Sequence, residues 1–230
     1  MKLATQLSLS FLFATCTSWS ATVLDFEGIA PYPSGSVFIQ NFYNGGAASN
    51  GNIGPNFGVT FSAPAQLICL NTPGIACSNT SRGGLGDPSS ALGALYFLTN
   101  SAITMNVNGG FTTGFSFDYV AISKPGSVSV FDAPNGGGTL LQTFALPLTA
   151  SACSSTFSAG FCPFAPAGVA FAGTAQSVVF AGVGDQIVFD DITFGSSTPG
   201  TGTPEPATAG LAGLTLGALI AARRLRLRGN

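Results

Sequence analysis

Among the eight acidic residues of the segment 21–203, four form two clusters: Asp25-Phe26-Glu27 near its start and Asp190-Asp191 near its end. Acids this close can do two kinds of chemistry. Hard carboxylate oxygens suit a structural Ca²⁺ ion, which takes roughly six to eight oxygen ligands. Two carboxylates about 5 to 9 Å apart across a sugar cleft can instead cleave a glycosidic bond. Glycosidase domains are usually larger and richer in titratable groups, so metal ligation is the stronger expectation for Asp25, Glu27, Asp190 and Asp191. No loop of EF-hand spacing accompanies them. The plain alternative is that they cap strand ends or face solvent.

Histidine is absent, which removes Ser-His-Asp and Cys-His catalysis, His-bearing zinc sites and imidazole acid-base chemistry. No Gly-x-Ser-x-Gly elbow, P-loop or dinucleotide fingerprint occurs either. These absences predict a protein that is not an enzyme. The single tryptophan, Trp19, falls within the leader described below, leaving Tyr32, Tyr43, Tyr96 and Tyr119 as the amphipathic rings of the body. A sugar-stacking platform built on tryptophan is therefore excluded.

Charge is sparse, at 7% of residues against about 25% in an ordinary soluble protein. Between residues 21 and 203 the only basic side chains are Arg82 and Lys124, giving that segment a net charge of -6. An acidic body without a basic stripe repels phosphate backbones, so nucleic acid is not an expected partner.

The elements that must position these groups read as strands. Short runs rich in Val, Ile, Phe and Thr, separated by Gly, Pro and Asn clusters, predict strands over 22–27, 36–40, 58–62, 66–70, 95–99, 103–107, 114–122, 127–132, 139–146, 177–180 and 186–194. That pattern indicates an all-β fold, a jelly-roll-like β-sandwich of two packed sheets. Phe115, Phe117 and Tyr119 alternate with Ser116, Asp118 and Val120, which puts the rings on the core face. Asn135-Gly136-Gly137-Gly138 supplies the positive φ angles needed to join the strands on either side. In a jelly roll the first and last strands often lie side by side, which would bring the two acidic clusters together.

Both ends of the chain read as addresses. Lys2, an apolar run over 7–14 and small residues through Ser18-Trp19-Ser20 make a secretory signal peptide, cleaved after Ser20. Past that point the chain keeps Cys69, Cys77, Cys153 and Cys162. An even number in an exported chain favours disulfides, with three possible connectivities. Pairing Cys69 with Cys77 and Cys153 with Cys162 is preferred, because each pair brackets a short polar loop. Each staple would stabilise by roughly 2 to 3 kcal/mol. Neither pair has the spacing of a zinc ribbon.

Residues 195–203 (GSSTPGTGT) form a flexible linker. Pro204-Glu205-Pro206 follows, then sixteen uncharged residues over 207–222, then Arg223, Arg224, Arg226 and Arg228. At 1.5 Å per residue the apolar run would span about 24 Å as a helix, short of the roughly 30 Å hydrocarbon core, which predicts a marginal transmembrane helix suited to temporary anchorage. The arginines should stay cytoplasmic, placing the body across the inner membrane, on the side the signal peptide also requires.

These last 27 residues resemble the PEP-CTERM sorting domain of exopolysaccharide-producing Gram-negative bacteria: a Pro-Glu-Pro motif, a short apolar helix and a terminal arginine cluster, in that order. The resemblance implies that an exosortase, a membrane cysteine transpeptidase, recognises Pro204, Glu205 and Pro206 and cleaves near them. It implies passage through the inner membrane to the cell surface or extracellular matrix. The stretches Asp25-Phe26-Glu27, 41–46 (NFYNGG), 58–61 (GVTF) and 189–194 (FDDITF) also look like the bodies of exported PEP-CTERM proteins, whose fold resembles galactose-binding-like and carbohydrate-binding modules. That likeness implies a calcium-stabilised sandwich. The leading expectation is a non-catalytic surface or matrix protein associated with exopolysaccharide and biofilm. The alternative is a carbohydrate-binding module using loop Tyr, Asn and Asp residues, and the third is a secreted glycosidase or lyase.

Overall fold

The aromatic alternation noted above organises the core. A computed structural model describes residues 21–29, 37–69, 92–149 and 164–200. In it, Phe115, Phe117 and Tyr119 line the inner face of β7 (Gly114–Ala121). Phe117 meets Phe144 at 5.4 Å, Phe189 at 5.7 Å and Phe180 at 6.3 Å between ring centroids, all edge to face. Such contacts add about 0.5 to 1.5 kcal/mol per pair to the burial of the rings themselves. They join two sheets across one core, because Phe189 lies on β12 (Ile187–Phe194) beside β7, while Phe144 on β9 (Leu140–Leu146) and Phe180 on β11 (Ala175–Ala181) belong to the opposite sheet.

The described chain is an all-β sandwich of two antiparallel sheets. The larger runs β10 (Ala165–Ala170), β7, β12, β5 (Gly93–Tyr96), β4 (Gln66–Cys69), β2 (Val37–Phe38), with β1 (Thr22–Leu24) also paired to β12. The smaller runs β3 (Val59–Phe61), β6 (Ala102–Phe111), β11, β8 (Gly126–Phe131), β9. Each of the eleven expected strands has a counterpart, with shifted ends. The run over 22–27 stops at Leu24, because Phe26 takes a φ of 57°. Its buried N–H donates to the Tyr43 hydroxyl at 3.1 Å.

A twelfth strand, β10, follows no apolar run. Its sequence, Ala-Pro-Ala-Gly-Val-Ala, is held by pairing with β7 from Ala165↔Tyr119 to Ala170↔Gly114. Pro166 is tolerated there because β10 ends the described order of the sheet, where one side of the backbone needs no ladder partner.

The larger sheet is also covered on its outer face. Alternation predicts solvent there, yet Ile68, Ala94, Tyr96, Val120 and Val188 form a second buried cluster, with Ile122 and Phe164 packed against it. Every residue of β12 is consequently buried. Cys69, at the end of β4, is disulfide-bonded. Cys77, Cys153 and Cys162 lie outside the described residues, as do the leader, Arg82, the Pro-Glu-Pro motif, the apolar run 207–222 and the terminal arginines. Among the described residues no helix is long and apolar enough to cross a membrane.

Candidate functional site

The first and last strands do lie side by side. Thr22 pairs with Phe194, Val23 with Thr193 and Leu24 with Ile192, so Asp25 and Glu27 follow on beside Asp191. Glu27 Oε1 accepts hydrogen bonds from the N–H groups of Leu92 at 2.6 Å and Gly93 at 3.1 Å, tying the end of β1 to the start of β5. Burial pushes the Glu27 pKa above the ordinary glutamate range; the two backbone donors oppose this, and the charges of Asp25 and Asp191 add to it.

Asp190 and Asp191 sit at a β-bulge, where β12 carries one more residue than β7 between Asp190↔Asp118 and Thr193↔Ser116. Asp191 takes a φ of 44° there. The carboxylates are already engaged by backbone: Asp190 Oδ1 accepts from Asp191 N–H at 2.8 Å, and Asp25 Oδ1 from Glu27 N–H at 3.3 Å. Asp190 stands opposite Asp118 in the ladder, apart from the other three in register. Among the described residues no group of three or more His, Cys, Asp or Glu side chains is arranged to hold a metal ion. The fold thus brings Asp25, Glu27 and Asp191 together and leaves Asp190 across the ladder from Asp118, and no role is assigned here to a calcium ion.

A different constellation is gathered on the outer face of the smaller sheet. An open cleft of about 350 Å³ has Thr60, Asn106 and Gln176 along its floor strands β3, β6 and β11. Asn44, Gly58, Val107, Asn108 and Gly109 complete its lining, with Pro134 contributing a wall. Among the described residues no charged side chain lines it. The side chains of Asn44, Thr60, Asn108 and Gln176 have no hydrogen-bond partner among the described residues, so each amide keeps its donors and acceptor for a ligand.

Two local features build this cleft. The first is a wide irregularity in β6. Asn106 pairs with Ser177 and Phe111 with Ala175, so the intervening residues 107–110 face the single residue Gln176. Asn108-Gly109-Gly110 makes the bulge possible, with φ of 82° and 72° at the glycines, a region costly to residues bearing a Cβ. Asn108 lines the cleft from within this bulge, and its N–H donates to Gly58 C=O at 2.7 Å.

The second feature is the loop between β8 and β9. It folds across the sheet as a 3-10 turn at Pro134–Gly136, with Asn135 left-handed at φ 60°, ψ 31°. Asn135 N–H donates to Asn106 Oδ1 at 2.7 Å, and Asn106 Nδ2 donates to Asn135 Oδ1 at 3.0 Å. Gly136 N–H donates to Ser177 Oγ at 2.9 Å, whose hydroxyl donates in turn to Ala133 C=O at 2.6 Å. This double latch holds the Pro134 wall in place without a ligand.

Loop tyrosines do not serve the cleft. Tyr43, Tyr96 and Tyr119 are buried in the core clusters, and Tyr32 lies outside the described residues. Asn44 and Thr60 fall within the stretches 41–46 and 58–61 already noted, whereas Asn106, Asn108 and Gln176 were not singled out from sequence. The available signal was Asn108-Gly109-Gly110 directly following a strand run, which reads as the end of the strand when it is a bulge within it.

No protein-family model matches the chain, and no curated protein matches it. Among solved structures the chain is similar to a family 6 carbohydrate-binding module from Clostridium stercorarium solved with cellobiose, at 17% identity and a TM-score of 0.34, over 58% of this chain and 82% of the other. A family 6 module from a Cellvibrio mixtus lichenase, solved with cellotriose, matches at 14% identity and a TM-score of 0.34, over 57% and 86%. A variant of a family 29 carbohydrate-binding module matches at 14% identity and a TM-score of 0.33, over 82% and 93%. Overlap at this level is common to many β-sandwiches and transfers no function to this chain.

Proposed function

We propose that this is a non-catalytic exported protein whose sandwich holds a polysaccharide segment in the cleft beside β6. The observation that carries this is the convergence of Asn44, Thr60, Asn108 and Gln176, all uncharged and without partners among the described residues, on one preformed cleft. A sugar presents closely spaced hydroxyls that both donate and accept, which is the complement of side-chain amides. A catalytic reading lacks support in the cleft, since glycoside hydrolysis by two carboxylates needs acids that its lining does not supply.

The finer description of the fold as a jelly-roll-like sandwich of galactose-binding or carbohydrate-binding-module type belongs to the same proposal. It draws support from the pairing of β1 with β12. Sorting through the C-terminal tail by an exosortase, with passage through the inner membrane to the surface or matrix, is supported by Pro204-Glu205-Pro206, the apolar run and the arginines. An unchanged C-terminal mass with and without an exosortase would reject that part.

For binding, the test is retention of the full chain on immobilised polysaccharides, including the host's own exopolymer. Each neutral hydrogen bond is worth about 1 kcal/mol, so Asn108→Ala combined with Gln176→Ala should weaken binding about 30-fold. Because neither side chain bonds to the described protein, the melting temperature should stay within about 1 °C of the parent. Retention equal to the parent, or no retention of the parent on any polymer, would refute the binding role.

A further inference from the structure

We infer that the cleft selects uncharged glycans and rejects chains bearing uronate carboxylates. The inference rests on the binding role proposed above and names the ligand class of that site. Its basis is the kind of group the lining offers. Asn44, Asn108 and Gln176 each present an N–H₂ donor and a C=O acceptor, and Thr60 a hydroxyl that does both. Hydroxyl groups of a neutral sugar satisfy either half of each amide by turning their O–H. An ionised carboxylate accepts only, so an amide oxygen facing it is left unpaired wherever the bound chain shuts out water, at a cost greater than the loss of one bond.

Compensation by charge is not on offer at this site. Strong carboxylate recognition uses Arg or Lys, through short charge-assisted bonds. Among the described residues the lining holds neither, and the segment 21–203 has only Arg82 and Lys124 against eight acids. Asp132, in the same loop as the Pro134 wall, uses its Oδ1 to accept from Thr139 N–H and puts the one acidic side chain of that loop beside the wall. Local mismatch and long-range repulsion therefore act in the same direction, the second being screened by salt beyond a Debye length of about 8 Å at physiological ionic strength.

The experiment pairs polymers that share a backbone. The full chain is titrated against a β-1,4-mannan, a soluble α-1,4-glucan and a soluble β-1,4-glucan, each alongside its own C6-carboxylated form, and against the host's neutral exopolymer fraction, at low and high salt. The expected result is binding to at least one neutral polymer with at least about tenfold weaker binding to its carboxylated partner. High salt should recover only part of that loss, because the unpaired amides remain. Gln176→Lys, which places a cation in the lining, should narrow the gap to within about threefold by improving the carboxylated partner. Equal or tighter binding of a carboxylated polymer by the parent protein overturns the selectivity while leaving the binding role intact. Binding to neither form of any polymer overturns both.

Discussion

Asn135 is the position where a small change should separate backbone strain from side-chain bonding. Its φ of 60° and ψ of 31° lie in the left-handed region, and its Oδ1 accepts from Asn106 Nδ2 at 3.0 Å. Asn135→Ala removes that acceptor and places a less tolerant residue at the same dihedrals. The lost bond is exposed and worth about 0.5 to 1 kcal/mol, and the left-handed conformation costs about 1 kcal/mol more for Ala. Asn135→Gly loses the same bond but relieves the dihedral, so it should cost at most about 1 kcal/mol. At about 2 to 4 °C per kcal/mol for a domain of this size, the Ala variant should melt about 3 to 8 °C below the parent, and the Gly variant should recover about half of that. Circular dichroism melts measure the stability. Calorimetric titration with the bound polysaccharide measures the effect of loosening the Pro134 wall, expected as a threefold to tenfold loss for Ala on the order of the free energy of the latch. Coincident melts for Ala and Gly would refute the dihedral contribution. An unchanged affinity in the Ala variant would refute the claim that the latch shapes the cleft.

Two further perturbations test the rest of the fold. Burial raises the Glu27 pKa, so its contribution to stability is present below the unfolded pKa and lost as pH rises through the folded one. Glu27→Gln keeps an oxygen for the Leu92 and Gly93 donors without the charge, and should raise the melting temperature at pH 7 but not at pH 4. The same melts with added calcium test the metal expected at the acidic cluster: a calcium-dependent reversal in favour of the parent would support it, and an unchanged ordering would sink it. Phe117→Ala, at a fully buried ring touching Phe144, Phe180 and Phe189, should cost about 3 to 5 kcal/mol in urea unfolding. A loss below about 1 kcal/mol would mean the two sheets are not joined through that ring.

The legible part of this fold was the part written as alternation. Phe115, Phe117 and Tyr119 announced an inner face because a strand sends successive side chains to opposite sides, and no tertiary contact was needed to see it. The same rule failed for the other face, since Val120 and Val188 are covered by neighbours that a local pattern does not reveal. Strand β10 escaped notice because small residues and a proline carry little strand signal of their own; the β7 ladder imposes the conformation. The acidic clusters were visible, and their approach across β1 and β12 was expected. Their engagement by backbone N–H groups is the strand-end capping that stood as the plain alternative, while the partners, Leu92 and Gly93 some 65 residues away, were set by the fold.

The sequence by itself determined the all-β class and the acidic, histidine-free character of the body. These follow from composition and local periodicity, which are properties of neighbouring residues. The cleft was decided only by tertiary structure, because its parts come from five distant places: the loop at Asn44, β3, the β6 bulge, the latched turn at Pro134, and β11. Side-chain amides have no periodic signature, and whether an asparagine is spent on its own backbone, as at Asn50, or left available, as at Asn108, depends on which groups folding brings within hydrogen-bond reach.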